Sequence, residues 1–324
     1  MSTPRPLRLG FQVWGQQVTW PGLMAAGRAI EALAFDSLFS NDHFFPVVGG
    51  PDGPVTGQDG PIFEGWMILA GFAAATERIR LGCLVSGTGY RNPCLLVKMA
   101  TALDHASGGR LSLGLGAGWH EREHLAFGYG YPTLGERIGR LEEAGAIVRG
   151  LLDGEEVTFV GRWYAADRAR NDPPPLQARL PLLIGGSGEK RTLRIVARFA
   201  DAWNGEGDPE MIRHKSAVLD EHCRAVGRDP AAIRRTVGLP PPLIRGSRDA
   251  ARATLAAILE RHGLTAEQAA RAADSPLAGT ADEVAAVLAA YRDAGAEEVI
   301  LDWPSPFDGE TLERLAEVRR RLAG

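Results

Sequence analysis

The sequence predicts an α/β fold, a (β/α)8 TIM barrel with insertions after strands 2, 4 and 7. Apolar runs of strand length occur eight times, amphipathic segments separate most of them, and the runs are apolar throughout. Such strands are typical of a parallel sheet covered by helices, and eight repeats suit closure into a barrel. The chain has 324 residues, more than the roughly 250 of a minimal barrel, which leaves room for insertions.

The individual strands and helices are placed by the periodicity of the sequence. The predicted strands cover residues 7–14, 37–39, 79–85, 111–115, 180–184, 200–203, 233–239 and 299–303. The predicted helices cover residues 22–33, 63–76, 93–105, 134–152, 190–199, 209–226 and 282–294. Because strand and helix alternate throughout, we expect residues 1–324 to form a single domain.

Three segments do not fit the alternation and are predicted to be insertions. Residues 44–61 are so rich in glycine and proline that we expect no regular structure there, and we interpret them as a lid over the active-site end. Residues 157–175 contain VTFVGRWY, which predicts a short hairpin, followed by an extended NDPPP segment. Residues 243–278 are expected to add one or two helices.

The composition is that of a globular protein and argues against several classes of partner. Hydrophobic residues make up 45% of the chain, and 36 basic and 40 acidic side chains give a net charge of −4. This balance of charges does not favour binding to nucleic acid. There is no apolar stretch for a membrane span or a secretion signal, and the three cysteines lack CxxC spacing. We therefore expect a cytoplasmic protein with no nucleic-acid or membrane partner.

Asp42 and His43 follow the second predicted strand. In a barrel, the carboxyl ends of the strands carry the active site. A histidine can exchange protons near neutral pH, and a neighbouring aspartate can orient it or bind a cofactor ring. The alternative is that Asp42 caps the next turn and His43 is merely exposed, but the position at a strand end favours the functional interpretation.

Two glycine-rich turns are candidate ligand sites. GLGAG after the fourth strand fails the dinucleotide-binding pattern, because its third glycine comes one residue early and the strand is not the first of the chain. Gly185, Gly186 and Ser187 follow the fifth strand and lead into a helix, where free backbone N–H groups can bind phosphate. A glycine-rich turn without a ligand is the alternative.

The segment HEREH, from His120 to His124, formally matches the zinc-binding HExxH pattern. However, the predicted helix has barely begun at this point, and no third ligand is evident. We favour a solvated first helical turn in which Glu121 and Glu123 stabilise the helix N-terminus. No metal is therefore predicted, and a zinc hydrolase built on His120 and His124 remains a less favoured alternative.

Several motifs occur in order along the chain. They are LGFQVW, ALAFDSLFSNDH, IRLGCLVSGTGYRNP, GRLSLGLGAGWHEREHLAFG, GERIGRLEEAGAIVRGLL and LPLLIGGSGEKRTLRIVARFADAWN. Together they resemble the luciferase-like monooxygenase superfamily and, more narrowly, its branch of oxidoreductases that use the deazaflavin coenzyme F420. The resemblance covers roughly residues 7–226 and is weaker beyond them.

This resemblance implies a barrel that holds a tricyclic ring at its carboxyl mouth. Asp42 and His43 would lie beside the ring, with His43 handling proton transfer. Leu84 and Val85 fall where relatives have a non-proline cis peptide that supports one face of the ring. Trp119 lies where some relatives place a residue that contacts the cofactor tail or the substrate.

The resemblance also implies that the amides of Gly185, Gly186 and Ser187 hold the cofactor phosphate. The activity it implies is hydride transfer between coenzyme F420 and a small organic substrate, which the residues do not identify. FMN has a similar ring and a phosphate, so an FMN-dependent monooxygenase is the main alternative, and a non-catalytic flavin-binding barrel is another.

The chain departs from its sugar-oxidising relatives at two places. Those relatives carry acidic residues where this chain has Gln16 and Gln17 after the first strand and Trp119 after the fourth. Their substrate and their acid–base scheme are therefore not implied here. Dimers are common among relatives, formed through helices near the second and third strands, so a homodimer is also an expectation.

Overall fold

The computed structural model describes residues 6–50, 53–56 and 58–323 and contains a closed barrel of eight parallel strands. The strands are β1 (Arg8–Val13), β2 (Ser37–Ser40), β3 (Arg80–Cys83), β4 (Leu111–Gly116), β5 (Leu182–Gly185), β6 (Ala202–Gly205), β7 (Arg234–Leu239) and β8 (Glu298–Trp303). Each strand pairs in parallel with its neighbours in the chain, and β8 pairs with β1 to close the ring. The predicted TIM barrel is confirmed.

Helices cover the outside of the barrel. They are α1 (Trp20–Ala32), α2 (Gly65–Ala75), α3 (Pro93–Ala106), α4 (Glu121–Ala126), α5 (Leu134–Leu152), α6 (Thr192–Phe199), α7 (Pro209–Ala225), α8 (Arg248–Arg261), α9 (Ala266–Ala273), α10 (Ala281–Asp293) and α11 (Gly309–Ala323). All seven predicted helices are present, with ends that differ by at most two residues. Among the described residues, no helix combines the length and the apolar character needed to cross a bilayer.

One helix of the barrel, α11, was not predicted. It follows β8 and buries Leu312, Leu315 and Val318, which recur at helical spacing. After Leu312 the helix contains six charged residues, which make its average composition polar and obscure the apolar stripe in the sequence: Glu313, Arg314, Glu317, Arg319, Arg320 and Arg321.

The insertion after β2 differs from its prediction. Within residues 44–61, Val48–Gly50 and Gly53–Val55 form a short antiparallel hairpin in which Val48 pairs with Val55, so the expectation of no regular structure is wrong there. Residues 51, 52 and 57 lie outside the described part. Val48 is fully buried in a cluster with Trp14 and apolar residues of α8 and α9. This tertiary contact stabilises a hairpin that its glycine-rich sequence alone would not.

The other two insertions are confirmed. After α5, Val157–Val160 and Ala165–Ala169 form the predicted antiparallel hairpin, and Tyr164 at its end donates a hydrogen bond to the carbonyl oxygen of Thr88. After β7, the chain adds α8 and α9, and Leu243–Ile244 pairs in parallel with Ala278–Gly279. The α8–α9 insertion follows a strand and therefore lies on the side of the active-site loops.

The interior of the barrel is packed around glycines on neighbouring strands. An apolar layer fills it, formed by Phe39, Leu183, Ala202 and Ile300 with Leu84 and Val85 against them. A Cβ at Gly82 would meet the ring of Phe39, and a Cβ at Gly116 would lie 2.5 Å from Val85. Small residues on β3 and β4 are therefore needed to let large side chains enter the barrel.

Replacing Gly114 by alanine tests this packing. A Cβ at Gly114 would overlap the carbonyl oxygen of Cys83, which is backbone and cannot turn aside. We expect Gly114→Ala to lower the free energy of unfolding by about 1–3 kcal/mol, measured by urea denaturation. Gly246→Ala is the matched control, because no atom lies within 4 Å of its Cβ position. Equal urea midpoints for the two variants would contradict the close approach of β3 and β4.

Candidate active site

The carboxyl ends of the eight parallel strands meet at one rim, and Asp42 joins two of them. Its buried carboxylate accepts hydrogen bonds from the amide of Gly87 at 3.2 Å and from Nη1 of Arg91 at 2.7 Å. Arg91 also pairs with Glu64, the N-cap residue of α2. Burial raises the pKa of Asp42, and the ion pair with Arg91 opposes this rise. These contacts fix the segment that carries His43.

His43 is oriented by Glu123, a partner 80 residues away. Nδ1 of His43 lies 3.0 Å from Oε2 of Glu123. Because a carboxylate only accepts hydrogen bonds, Nδ1 carries the proton. Nε2 of His43 has no hydrogen-bond partner within the described part of the chain, and the side chain is 18% exposed. This nitrogen is therefore available to a ligand at the mouth.

The Glu123 carboxylate is fully satisfied. Besides His43, it accepts from the amides of Phe44 and Phe45 at 2.8 and 3.0 Å and from the hydroxyl of Tyr90 at 2.8 Å. Burial alone would raise its pKa, but the hydrogen bonds from His43 and the two amides lower the pKa to about 2. Glu123 is thus a buried anion that links α4 to the start of the lid segment and to His43, the candidate catalytic residue.

The prediction of a solvated first turn for HEREH is wrong. Glu121 is exposed, but Glu123 and His124 are buried, and Nδ1 of His124 lies 2.9 Å from the carbonyl oxygen of His120. The turn packs inward because Glu123 provides the acceptor that His43 and two lid amides need. Within the described residues, no group of three or more His, Cys, Asp or Glu side chains is arranged to hold a metal ion.

A cis peptide joins Leu84 and Val85 directly after β3, at the position that the family resemblance indicated. The side chain of Val85 points into the barrel, where it packs against Gly116 and lies beside Gly185. The chain then rejoins the sheet, because Ser86–Gly87 pairs with β4. Leu84 and Val85 therefore form an apolar floor below the mouth, and this floor adjoins the end of β5.

The turn formed by Gly185, Gly186 and Ser187 lies on the same rim as His43. The amide of Gly186 donates to the carbonyl oxygen of Asn204 at 3.1 Å, and its carbonyl oxygen accepts from Nε1 of Trp203 at 2.8 Å. Gly186 has a φ of +123°, a conformation that favours glycine. The chain continues from this turn into α6, whose first residues have no side-chain cap. Because the Gly186 amide is already paired, the residues of the turn that lead to the uncapped start of α6 are the candidates for binding an anion.

Several buried polar atoms at the mouth lack a hydrogen-bond partner among the described residues. They are Oδ1 of Asn41, Oδ1 of Asp42, Oγ1 of Thr88 and Nε2 of His120. These atoms follow three adjacent strands, β2, β3 and β4. Because an unsatisfied buried polar group is costly, their concentration fits a site for a ligand that carries several polar atoms. An apolar floor with polar edges fits a flat heterocyclic ring.

Trp119 contacts His43 edge-on, with ring centroids 5.3 Å apart, and is 42% exposed. The hydroxyl of Tyr131 donates to its carbonyl oxygen at 2.8 Å. The structure therefore brings Trp119 to the same mouth as Asp42 and His43. Its exposed ring face is available to a bound molecule.

Sequence reasoning missed two acidic groups of the mouth, Glu123 and Asp302. Ile300 packs inside the barrel, so strand alternation places Asp302 on the inner face of β8, in register with Gln12. Burial raises the pKa of Asp302 to about 7, although a hydrogen bond from Trp14 lowers it. Its position directly after the apolar run VIL was a usable signal, whereas nothing local distinguishes Glu123 from Glu121.

A model of the luciferase-like monooxygenase family matches residues 9–298 of the chain. The chain belongs to this family. The match runs from the second residue of β1 to the first residue of β8, and it includes the segments that form the mouth. The resemblance seen in the sequence motifs is therefore confirmed at the level of the family.

Individual proteins are also similar to this chain. An F420-dependent glucose-6-phosphate dehydrogenase of Microbacterium testaceum is 31% identical over 227 residues, which is 69% of this chain and 64% of that protein. An F420-dependent secondary alcohol dehydrogenase, solved with an F420–acetone adduct, has a TM-score of 0.79 at 18% identity, with 99% of both chains covered. A riboflavin lyase solved with modified FMN and riboflavin has a TM-score of 0.77 at 15% identity, with 98% of this chain and 92% of that chain covered. At these identities the two solved structures establish the fold.

Replacing Glu123 by glutamine tests the buried anion. Glutamine cannot accept from all four donors, so we expect Glu123→Gln to destabilise the protein by roughly 2–4 kcal/mol at pH 7. The pKa of Glu123 is lowered from 4.5 to about 2, so its stabilising effect is present above pH 4.5 and is lost as the pH falls towards 2. The difference in unfolding free energy between the parent and Glu123→Gln should therefore shrink as the pH falls from 4.5 towards 2. The exposed control Glu121→Gln should have little effect on the unfolding free energy over the same range. A constant difference would contradict the pairing.

Replacing Asp302 by asparagine tests the raised pKa at the mouth. In the folded protein Asp302 keeps its proton up to about pH 7, whereas unfolded aspartate ionises near 3.8. The unfolded state is therefore favoured as the pH rises from 4 to 7. Asparagine carries no charge and still accepts from Trp14, so we expect Asp302→Asn to be more stable than the parent by about 1–3 kcal/mol at pH 8. The two proteins should converge near pH 4, and equal thermal stability at pH 8 would argue against the shift.

Proposed function

We propose that the protein is an oxidoreductase that transfers a hydride between coenzyme F420 and a small organic substrate. The observation that carries the proposal is the position of three features on one rim: the Asp42–His43 pair, the Leu84–Val85 floor and the turn from Gly185 to Ser187. When bound, the deazaflavin supplies the ring carbon that exchanges the hydride. The named F420-dependent relative and the F420-bound structural neighbour support this cofactor.

The residues of the mouth have separate tasks in binding. Leu84 and Val85 would support one face of the ring, and Asp42 would contact the edge of the ring. Trp119 would contact the cofactor tail or the substrate. The turn from Gly185 to Ser187 would hold the phosphate through its free backbone amides, with Gly186, whose own amide donates to Asn204, giving the turn its shape. Both F420 and FMN carry a phosphate and a tricyclic ring system, so the floor and the turn suit either, and a direct binding measurement separates them.

His43 is proposed to move the proton that accompanies hydride transfer. Glu123 holds Nδ1 as the donor, so Nε2 is the atom that gains or loses a proton at the mouth. The carboxylate also stabilises the imidazolium that forms when Nε2 gains a proton, as in other His–carboxylate pairs. Substrate protons would therefore enter and leave through a single nitrogen in a fixed position.

The lid segment would exclude water from the reaction. Its hairpin packs on the α8–α9 insertion through Val48, and Nε2 of Gln58 donates to the carbonyl oxygen of Gly263 at 2.9 Å. On the other side, the guanidinium of Arg122 stacks over Phe45 at 4.0 Å and pairs with Asp59. Exclusion of water strengthens the electrostatic interactions between the reacting groups.

We also infer a cytoplasmic location and a homodimer. The three cysteines are free, as is usual in reducing compartments. Trp20, Met67 and Leu95 are exposed at 36%, 61% and 53% on the helices that follow β1, β2 and β3. Exposed apolar side chains on neighbouring helices favour an interface.

Titration of the purified protein with F420 and with FMN, followed by fluorescence, tests the cofactor. We expect tight binding of F420. Tight binding of FMN with no affinity for F420 would overturn the proposal in favour of a flavin enzyme.

Replacing His43 by alanine tests the proton transfer. We expect His43→Ala to lower turnover by about 10²–10⁴-fold, the usual contribution of a general acid or base, while F420 affinity stays nearly unchanged. His214→Ala is the control, because His214 is an exposed histidine on α7. Unchanged turnover of His43→Ala would remove His43 from the mechanism.

A further inference from the structure

A second histidine, His120, lies beside His43 at the mouth. Its ring centroid is 5.8 Å from that of His43 and 5.1 Å from that of Trp119. The side chain is only 2% exposed, and its Nε2 has no hydrogen-bond partner in the described part of the chain. A ligand with a hydroxyl or carbonyl group would recover the free energy that this unpartnered nitrogen costs.

The backbone of His120 is held in place by α4. Its carbonyl oxygen accepts from Nδ1 of His124 at 2.9 Å and from the amide of His124 at 3.3 Å. His124 is itself buried, with its ring 4.7 Å from that of Tyr90. The backbone position from which the His120 ring extends is therefore fixed by α4.

The two histidines differ in their electrostatic surroundings. Glu123 accepts directly from Nδ1 of His43, which fixes the direction of that ring. His120 has no such hydrogen bond. Burial lowers the pKa of His120, and the charges of His43 and Arg122 act in the same direction, while Glu123 opposes them. The Nε2 atom of His43 is therefore placed to exchange a proton, whereas the buried ring of His120 is suited to bind a polar atom in its neutral form.

The cavity beside His120 indicates which substrates can approach it. It has a volume of about 620 Å³, and Trp119, Leu125, Ala126 and Tyr131 contribute apolar and aromatic surface to its wall. Arg122 also lines it, but its guanidinium is already paired with Asp59 and stacked over Phe45. The exposed Glu121 adds a negative charge. Such a wall favours an uncharged molecule over a phosphorylated one.

We propose that His120 hydrogen-bonds the oxygen atom of the substrate and that the substrate is an uncharged alcohol or ketone. The inference rests on the function proposed above. In the oxidation, the C–H hydrogen leaves with both electrons as a hydride to oxidised F420, the O–H proton passes to Nε2 of His43, and a C=O bond forms. His120 keeps its protonation state and holds the oxygen, so the carbon is oriented towards the cofactor. The reverse reaction reduces a ketone with reduced F420 and a proton from His43.

Two substitutions at position 120 test the role of its nitrogen. His120→Phe keeps a flat ring and removes Nε2, whereas His120→Gln restores a group that can hydrogen-bond the substrate. With reduced F420 and cyclohexanone, we expect kcat/KM of His120→Phe to fall about 10²-fold with a raised KM, and His120→Gln to recover part of this loss. The affinity for F420 and the thermal midpoint should stay close to those of the parent, which a purely structural role would not allow.

A spectroscopic measurement tests the same contact without turnover. In protein with ¹⁵N-labelled histidine and bound F420, the Nε2 resonance of His120 is assigned by its absence from His120→Phe. Addition of cyclohexanone should shift this resonance, and addition of glucose 6-phosphate should not. No shift with cyclohexanone would overturn the inference, as would a preference of the parent protein for glucose 6-phosphate.

The outcomes separate this inference from the proposed function. If the parent binds F420 and reduces cyclohexanone, but His120→Phe does so equally well, only the role of His120 is overturned. If the parent does not bind F420 at all, the proposed function is overturned and the inference with it. A selective loss in His120→Phe, partial recovery in His120→Gln and intact F420 affinity would support both.

Discussion

The buried carboxylate of Glu123 is the interaction on which the rest of the mouth depends. Three of its four donors come from the consecutive residues His43, Phe44 and Phe45 between β2 and the lid, and the fourth is Tyr90 in the loop after β3. One side chain of α4 thus joins two segments that are distant from it in sequence. A buried anion is stable only when its hydrogen-bonding capacity is met, and here it is. The same contacts that stabilise the carboxylate determine the direction of His43. Stability of the lid segment and reactivity of the histidine are therefore not independent in this protein.

The barrel supplies the second constraint. Because its parallel strands all end at one rim, residues from positions as distant as 42, 85 and 185 meet without any long-range sequence signal. The close packing of β3 and β4, which requires glycine at position 114, lets Val85 enter the barrel and cover the apolar layer below it. A flat ring resting on this floor would touch apolar carbon on one face and polar atoms at its edges. That combination suits a cofactor whose position must be fixed to within a bond length for hydride transfer.

Much of the fold could be predicted from the sequence because its determinants are local. The eight apolar runs and the helical spacing between them survive in the structure, as does the hairpin at VTFVGRWY. The lid hairpin could not be predicted, because the burial of Val48 depends on α8 and α9, about 200 residues further on. The HEREH segment shows the same limit: its local pattern suggested exposed acids or a metal site, while Glu123 is buried by partners elsewhere in the chain. Asp42 and His43 were recognisable as candidate site residues because the residues that follow the strands of a barrel form its active site.

The most direct test of the account is a crystal structure of the protein with coenzyme F420. The account predicts that the deazaflavin ring lies on Leu84 and Val85, that its phosphate contacts the turn from Gly185 to Ser187, and that Nε2 of His43 faces the ring carbon which exchanges the hydride. A cofactor bound elsewhere, or a ring in the mouth with His43 turned away from it and separated from Glu123, would contradict it.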